Sequence, residues 1–265
     1  MKKKIRKVIP IWHFENLLRH KEIYHYTSSR EGGVSKGKYA TLNISYNVGD
    51  DPQNVIKNRQ RLAAELDITV DKLIYPEQVH SDNIKIIRDP EEVEEEIKET
   101  DGLITQVPNI YISVQTADCV PLLFYDPVNR VIGVAHAGWK GTVKHIAKKM
   151  VEIFREKFKC NPENILAGIG PSIGPDSYEV GKDVITQVKT QFGVDSEYIL
   201  HEKEDGKAFF DLWKANRIQM HQMGIPPENI EDSHMCTFID HEFFFSARQS
   251  GTDCGRFGAG IMIKE

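Results

Sequence analysis

The chain has 265 residues, 40% of them apolar and 28% charged, with a formal net charge of -5, which suits a globular protein with a substantial core. Net negative charge disfavours the phosphate backbone of nucleic acid as a partner, and no apolar run approaches the roughly 20 residues that span a bilayer. The basic cluster Lys2, Lys3, Lys4, Arg6 and Lys7 leads to Pro10, His13 and Glu15 instead of an apolar signal core, so it reads as solvated surface of a cytoplasmic, membrane-free monomer or homodimer.

Residues 11–48 read as irregular strands and turns punctuated by Gly32, Gly33 and Gly37. Asp51 caps a helix with Pro52 in its first turn, and Val55, Arg59, Leu62, Ala63 and Leu66 share one side of it up to Asp67. Leu73–Tyr75 is a short strand leading to Gln78-Val79-His80, and Ile84–Ile87 is another. Residues 89–99, with seven acids and one lysine, suggest an exposed loop or short helix. A block of strands follows at Leu103–Thr105, Ile110–Val114, Val120–Phe124 and Val131–Ala135. Asp126-Pro127 and Asn129 turn the last two into a hairpin.

After Gly141 the period changes. Val143, Ile146, Ala147, Met150, Phe154 and Phe158 form one helical stripe. Ile165–Ile169 is a strand, 181–192 and 213–223 fit helices, Phe243–Ser246 reads as a late strand, and a glycine-rich tail ends in Ile261-Met262-Ile263. No linker or repeat divides the chain. The strands at 103–135 lack the intervening helices that parallel crossovers require, so the expected fold is α+β, a single domain over 1–265 of layered mixed sheets with packed helices.

Chemistry concentrates at the mouths of these elements. His80 follows the 73–79 segment, Cys119 starts a strand, and His136 ends one just before a glycine turn. The hairpin brings the last two to adjacent ends. Two imidazoles and one thiolate suit zinc and leave a fourth position open, the pattern of a catalytic site; copper accepts the same donors. The spacing is equally compatible with a Cys–His nucleophile pair, Cys119 attacking with His80 or His136 as base, or with a core histidine and an inert thiol. Asp118 is placed to orient a ligand histidine or to act as acid or base. Gly138 and Gly141 allow close approach around Trp139 and Lys140. Gly170–Pro175 reads as a second rigid turn with free amides suited to cradling phosphate, with ordinary turn geometry as the alternative. Cys160, Cys236 and Cys254 read as packed thiols in a chain too long to be a disulfide scaffold.

Gln78-Val79-His80, Asp101-Gly102, Thr116–Pro121, His136–Gly141, Gly170–Gly174, Phe210-Asp211-Leu212 and Phe244–Arg248 together resemble the family long called the multicopper polyphenol oxidase or laccase-domain family. Many of its members are described as zinc-dependent purine nucleoside phosphorylases. The resemblance spans nearly the whole chain. It implies metal ligands at His80, Cys119 and His136, and phosphorolysis of adenosine, inosine, guanosine and methylthioadenosine together with adenosine deamination. Purine nucleosides and inorganic phosphate are then the partners, and a copper-dependent phenol oxidase or a metal-free cysteine hydrolase are the alternatives. Asp118, Cys119 and His80 become the catalytic candidates. Asn43 (for the sugar), Arg59, Trp139, Lys140, Gly170 and Arg248 become the substrate and phosphate candidates. Lys140 stands where the family commonly has arginine, so any anion contact there lacks the bidentate fork; Ser81 stands where glycine is common.

Overall fold

A computed structural model of the chain describes residues 1–5, 7–89 and 97–265. Arg6 and most of the acidic segment proposed at 89–99 lie outside the described residues. The strands are β1 (Lys2–Ile5), β2 (Pro10–His13), β3 (Ile23–Ser28), β4 (Leu73–Ile74), β5 (Ile84–Ile87), β6 (Gly102–Thr105), β7 (Tyr111–Thr116), β8 (Val120–Asp126), β9 (Val131–Ala137), β10 (Leu166–Ile169), β11 (Glu179–Val180), β12 (Leu200–Glu202), β13 (Ala208–Phe210), β14 (Ile230–Asp232) and β15 (Phe257–Ile263). The helices are α1 (Glu15–Leu18), α2 (Pro52–Glu65), α3 (Trp139–Val143), α4 (Ile146–Phe158), α5 (Lys182–Phe192), α6 (Ser196–Ile199), α7 (Leu212–Gln222) and α8 (Ala247–Ser250).

There are two mixed six-stranded sheets, ordered β1-β2-β3-β15-β7-β4 and β14-β10-β8-β9-β6-β5, and a small three-stranded sheet β11-β13-β12. Strands alternate their faces, and that alternation builds the layers. Leu123, Tyr125, Ile132 and Val134 of the second sheet meet Ile112, Val114, Ala259 and Ile261 of the first. On the other face of the second sheet, Leu122, Phe124, Val131 and Ala135 pack with Met150, Val151 and Phe154 of α4 and with α5 and α7. Tyr26, Tyr111 and Met262, from the first sheet, pack with Leu62 and Ala63 of α2. The result is a single α+β domain layered helix, sheet, sheet, helix. Both faces of β8 and β9 are covered, so every residue in them is buried and the strands read in sequence as unbroken apolar runs.

The cap on α2 is present: Asp51 accepts the amide of Gln53 at 2.9 Å. The β8–β9 hairpin is present, with Pro121 opposite His136. Three expectations change. The apolar stripe after Gly141 is buried from Val143 to Phe154, but the helix breaks between α3 and α4 at His145, which takes φ 62°. Phe243–Ser246 is not a strand. It is a turn closed by the amides of Phe243 and Phe244 on the Asp240 carbonyl, and Phe244 and Phe245 fill a cluster against Phe257, whose ring lies 5.1 Å from that of Phe244. The glycine-rich tail is instead the central strand β15, paired with β3 and β7. Glycine is required there, because a Cβ on Gly260 would lie 2.2 Å from the Ser113 hydroxyl oxygen.

Lys2, Lys3 and Lys7 pair with Glu15, Glu31 and Asp67 at the surface, contacts of little net stability. No helix among the described residues is long and apolar enough to cross a membrane. Phe154 is fully buried between β9 and α4. Its replacement by alanine is expected to remove about 3–5 kcal/mol of folding stability, read as a lower denaturant midpoint; a loss below about 1 kcal/mol would contradict the packing of α4 on the second sheet.

Candidate active site

The candidate site is built around a buried carboxylate at the end of the second sheet. Asp101 precedes β6 and is fully buried. One oxygen accepts the amide of His80 at 3.1 Å and Nδ1–H of His136 at 2.8 Å. The other accepts the amides of Val79 (3.2 Å) and Ser81 (2.6 Å) and the Ser81 hydroxyl (2.7 Å). These bonds hold His80 in left-handed backbone with φ 58°, a conformation uncommon for a residue with a Cβ. The preceding residues are fastened by Gln78, whose carboxamide accepts the Gln115 amide at 2.7 Å and donates to the Gln115 carbonyl at 2.8 Å. The loop carrying His80 is therefore tied to both sheets.

His80, Cys119 and His136 converge as the spacing suggested. One ligand atom from each lies within 4.8 Å of the others, and the two imidazoles meet edge to face with centroids 4.9 Å apart. Tetrahedral zinc with nitrogen and sulfur donors places ligand atoms roughly 3.5 Å apart, so small side-chain rotations close this set on an ion. The donor to Asp101 is Nδ1 of His136, which leaves Nε2 for a metal, the usual arrangement of a ligand histidine. Gly138 makes room for the group: a Cβ there would lie 2.9 Å from the Cys119 sulfur and 3.2 Å from His80 Cδ2.

Electrostatics favour the deprotonated thiol that a metal needs. Burial opposes ionisation of Cys119, but His136 and then His80 outweigh it and bring the thiol down to about 6. Burial likewise opposes the His136 imidazolium, while Cys119 and Asp101 pull it up to about 9. The Asp101 carboxyl, raised by burial, is held at about 2 by His136 and Ser81.

A cleft of about 560 Å³ opens on this cluster, lined among others by Ser45, Asn47, Gln115, Tyr178, Arg248 and Arg256. Of the sequence candidates, His80, Asp118, Cys119, His136 and Arg248 line it. Asp118 does not orient a ligand histidine; Asp101 does so for His136. The Asp118 carboxylate instead accepts the Thr237 hydroxyl and the Arg248 amide, each at 2.6 Å. Asn43 is fully buried behind the cleft, where it bonds Ser45, Asp50 and the Arg256 amide. Arg59 also stands behind it, donating to the Ile44 carbonyl at 2.8 Å with Tyr46 and Tyr75 rings 4.4 and 4.8 Å from its guanidinium. Both brace the 44–48 loop and lie outside the lining.

Trp139 packs against the core under α4, and exposed Lys140 lies over the Trp139 ring; neither lines the cleft. The turn at Gly170–Pro175 has no free amides to offer at 170, 172, 173 and 174. They are bound to Pro121, Met235, Asp118 and the Cys236 sulfur, because the turn is stitched to neighbouring loops. Sequence reasoning passed over the roles of Asp101, Gln78 and Tyr178. The first two stood inside motifs already singled out, and the only available signal for Asp101 was a carboxylate flanking a strand next to candidate ligands.

Asp101→Asn keeps the shape but loses the charge that fixes His136. Zinc affinity is expected to fall roughly 10- to 100-fold in a chelator competition, and unchanged affinity would contradict the role. In metal-free protein, alkylation of Cys119 by iodoacetamide is expected to be half-maximal near pH about 6, since the thiolate is the reactive form and is lost below that pH. A midpoint near the ordinary thiol value of about 8.5 would show that the imidazoles do not act on it.

Residues 24–264 match the family model described as multi-copper polyphenol oxidoreductase laccase. A purine nucleoside phosphorylase of Bacteroides thetaiotaomicron is 36% identical over 94% of this chain and 95% of its own. Adenosine deaminase RL5, from an unknown prokaryotic organism, is 36% identical over 89% of this chain and 93% of its own. The crystal structure of YlmD from Geobacillus stearothermophilus superposes with a TM-score of 0.92 at 30% identity, covering 99% of this chain and 98% of that one. The same layered domain, matched from end to end, shows that the chain belongs to the family described as multi-copper polyphenol oxidoreductase laccase, alongside these nucleoside-acting relatives.

Proposed function

We propose that the cleft is a zinc-dependent site for phosphorolysis of purine nucleosides, including adenosine, inosine, guanosine and methylthioadenosine, that also deaminates adenosine. The observation that carries the reading is the convergence of His80, Cys119 and His136 within 4.8 Å on the wall of a nucleoside-sized cleft. The relatives named for phosphorolysis and for deamination support both halves. His80, Cys119 and His136 would hold the zinc, which would supply Lewis-acid polarisation when bound.

The chain's own groups supply the rest. Asp101 holds the Nδ1 proton of His136 and so aims Nε2 at the ion site. Arg248, fixed through its amide to Asp118, offers its guanidinium to phosphate. Asp118 is then a positioning residue first, with its two oxygens engaged by Thr237 and Arg248. In phosphorolysis a phosphate oxygen bonds to the anomeric carbon as the C–N bond breaks, and the purine leaves with the electron pair and takes up a proton. In deamination water adds at C6 and ammonia leaves.

The low thiol value of Cys119 favours a second reading, a metal-free hydrolase in which Cys119 attacks and His136 or His80 takes the proton. Turnover that survives metal removal and disappears on Cys119 alkylation would select it. The copper phenol oxidase suggested by the family description has less support. Reducing dioxygen to water draws on several coppers, and the described residues contain one group of converging ligands. Copper-dependent oxygen consumption with a phenol would select that reading.

Purified protein of measured metal content is expected to convert adenosine to adenine and ribose 1-phosphate when phosphate is present, and to inosine without it. Absence of all these products overturns the reading. His80→Ala and Cys119→Ala are each expected to lose zinc and turnover together; full zinc content in either variant contradicts the ligand assignment.

A further inference from the structure

Tyr178 lies on the loop before β11 and lines the same cleft as the three ligands. Its placement is unusually constrained for a loop residue. Its carbonyl accepts the Phe210 amide at 3.0 Å. The Phe210 ring stacks on its ring, with centroids 6.2 Å apart and planes 29° from parallel. The Arg248 guanidinium sits 5.2 Å from the ring centroid and donates to the carbonyl of the next residue, Glu179, at 3.1 Å. The Arg248 amide is in turn bound to Asp118, whose carbonyl accepts the amide of Ile173 at 2.9 Å. Asp118, Arg248 and Tyr178 thus form one connected wall, and rotation of the phenol is restricted by the groups packed on its ring.

The phenol hydroxyl of this wall is free to meet a ligand. No described residue hydrogen-bonds to the Tyr178 hydroxyl, whereas both carboxylate oxygens of Asp118 are engaged. A half-buried phenol usually finds a partner. Burial, and after it the charge on Cys119, holds the phenol well above its ordinary value, so it remains a proton-bearing donor at working pH.

We infer that the Tyr178 hydroxyl donates a hydrogen bond to one of the vicinal ribose hydroxyls of the nucleoside. The inference rests on the nucleoside reading of the cleft. If the base lies toward the His80–Cys119–His136 cluster and phosphate lies at Arg248, the ribose joins them. Tyr178 carries Arg248 on its ring and lines the same cleft as Cys119, so it stands beside that middle position. The side chain then acts as a contact to the sugar and not to the base, which makes it a determinant of ribonucleoside over deoxynucleoside binding.

The test is calorimetric titration of the full-length holoprotein with inosine in phosphate-free buffer, where neither deamination nor phosphorolysis consumes the ligand. Tyr178→Phe retains the ring and its packing, and zinc content and thermal midpoint are expected to match wild type. Inosine affinity is expected to fall roughly 3- to 10-fold, the loss of one neutral hydrogen bond. That penalty is expected to vanish for either 2′-deoxyinosine or 3′-deoxyinosine, whichever lacks the bonded hydroxyl, an outcome that a merely structural role would not produce. Equal penalties for all three ligands, or none for inosine, overturn the Tyr178 assignment while leaving the nucleoside reading intact. Failure of wild-type holoprotein to bind inosine at all overturns both.

Discussion

The carboxylate of Asp101 is the constraint on which the site depends. A fully buried negative charge is costly unless its lone pairs are filled. Here five donors fill them: three consecutive amides from Val79 to Ser81, the Ser81 hydroxyl and Nδ1–H of His136. The same satisfaction fixes two ligands at once. It curls the 79–81 backbone so that His80 projects toward the cleft, and it sets the tautomer and rotation of His136. Ser81 adds a hydroxyl to this carboxylate that glycine at the same position would lack.

The layered fold explains why these groups meet. Cys119 immediately precedes β8, His136 lies near the end of β9 and Asp101 precedes β6, and all three strands are neighbours in the second sheet. The β8–β9 register puts Pro121 opposite His136, which sets the Cys119–His136 separation by backbone hydrogen bonds and not by flexible side chains. His80 arrives from the first sheet, fastened through Gln78 to β7. The cluster therefore bridges the ends of both sheets, a rigid support for groups that must keep ligand geometry.

The remainder of the cleft is assembled from loops tied to one another. Asn43 links the 45–50 loop to Arg256, Arg256 donates to the carbonyls of Thr252 and Gly255, and Asp118 connects Thr237 and Arg248. Several residues that look like ligand contacts in the sequence turn out to hold these loops. Arg59 and Asn43 shape the cleft from behind, and the amides of the 170–174 turn are consumed in binding its neighbours. A charged or polar side chain near a motif gives no indication of whether its hydrogen bonds face substrate or protein.

The linear order of residues determined much of what matters here. Apolar runs marked most of the strands, a 3.6-residue stripe marked the face of α4, and an Asp-Pro pair marked the start of α2. Donor types at strand ends marked His80, Cys119 and His136 as a set. What it left open was each feature that depends on contacts between distant segments. The glycine-rich tail became a central strand because β3 and β7 leave a slot in which glycine at 260 avoids Ser113. Phe243–Ser246 became a turn because Phe244 and Phe245 are buried without a strand partner. Asp101, not Asp118, became the orienting carboxylate because β6 pairs with β9, placing Gly102 opposite Ala135 and so Asp101 beside His136. Residue type and local period are properties of the chain itself. Which donor meets which acceptor across 35 residues is set only when the sheets pair and pack.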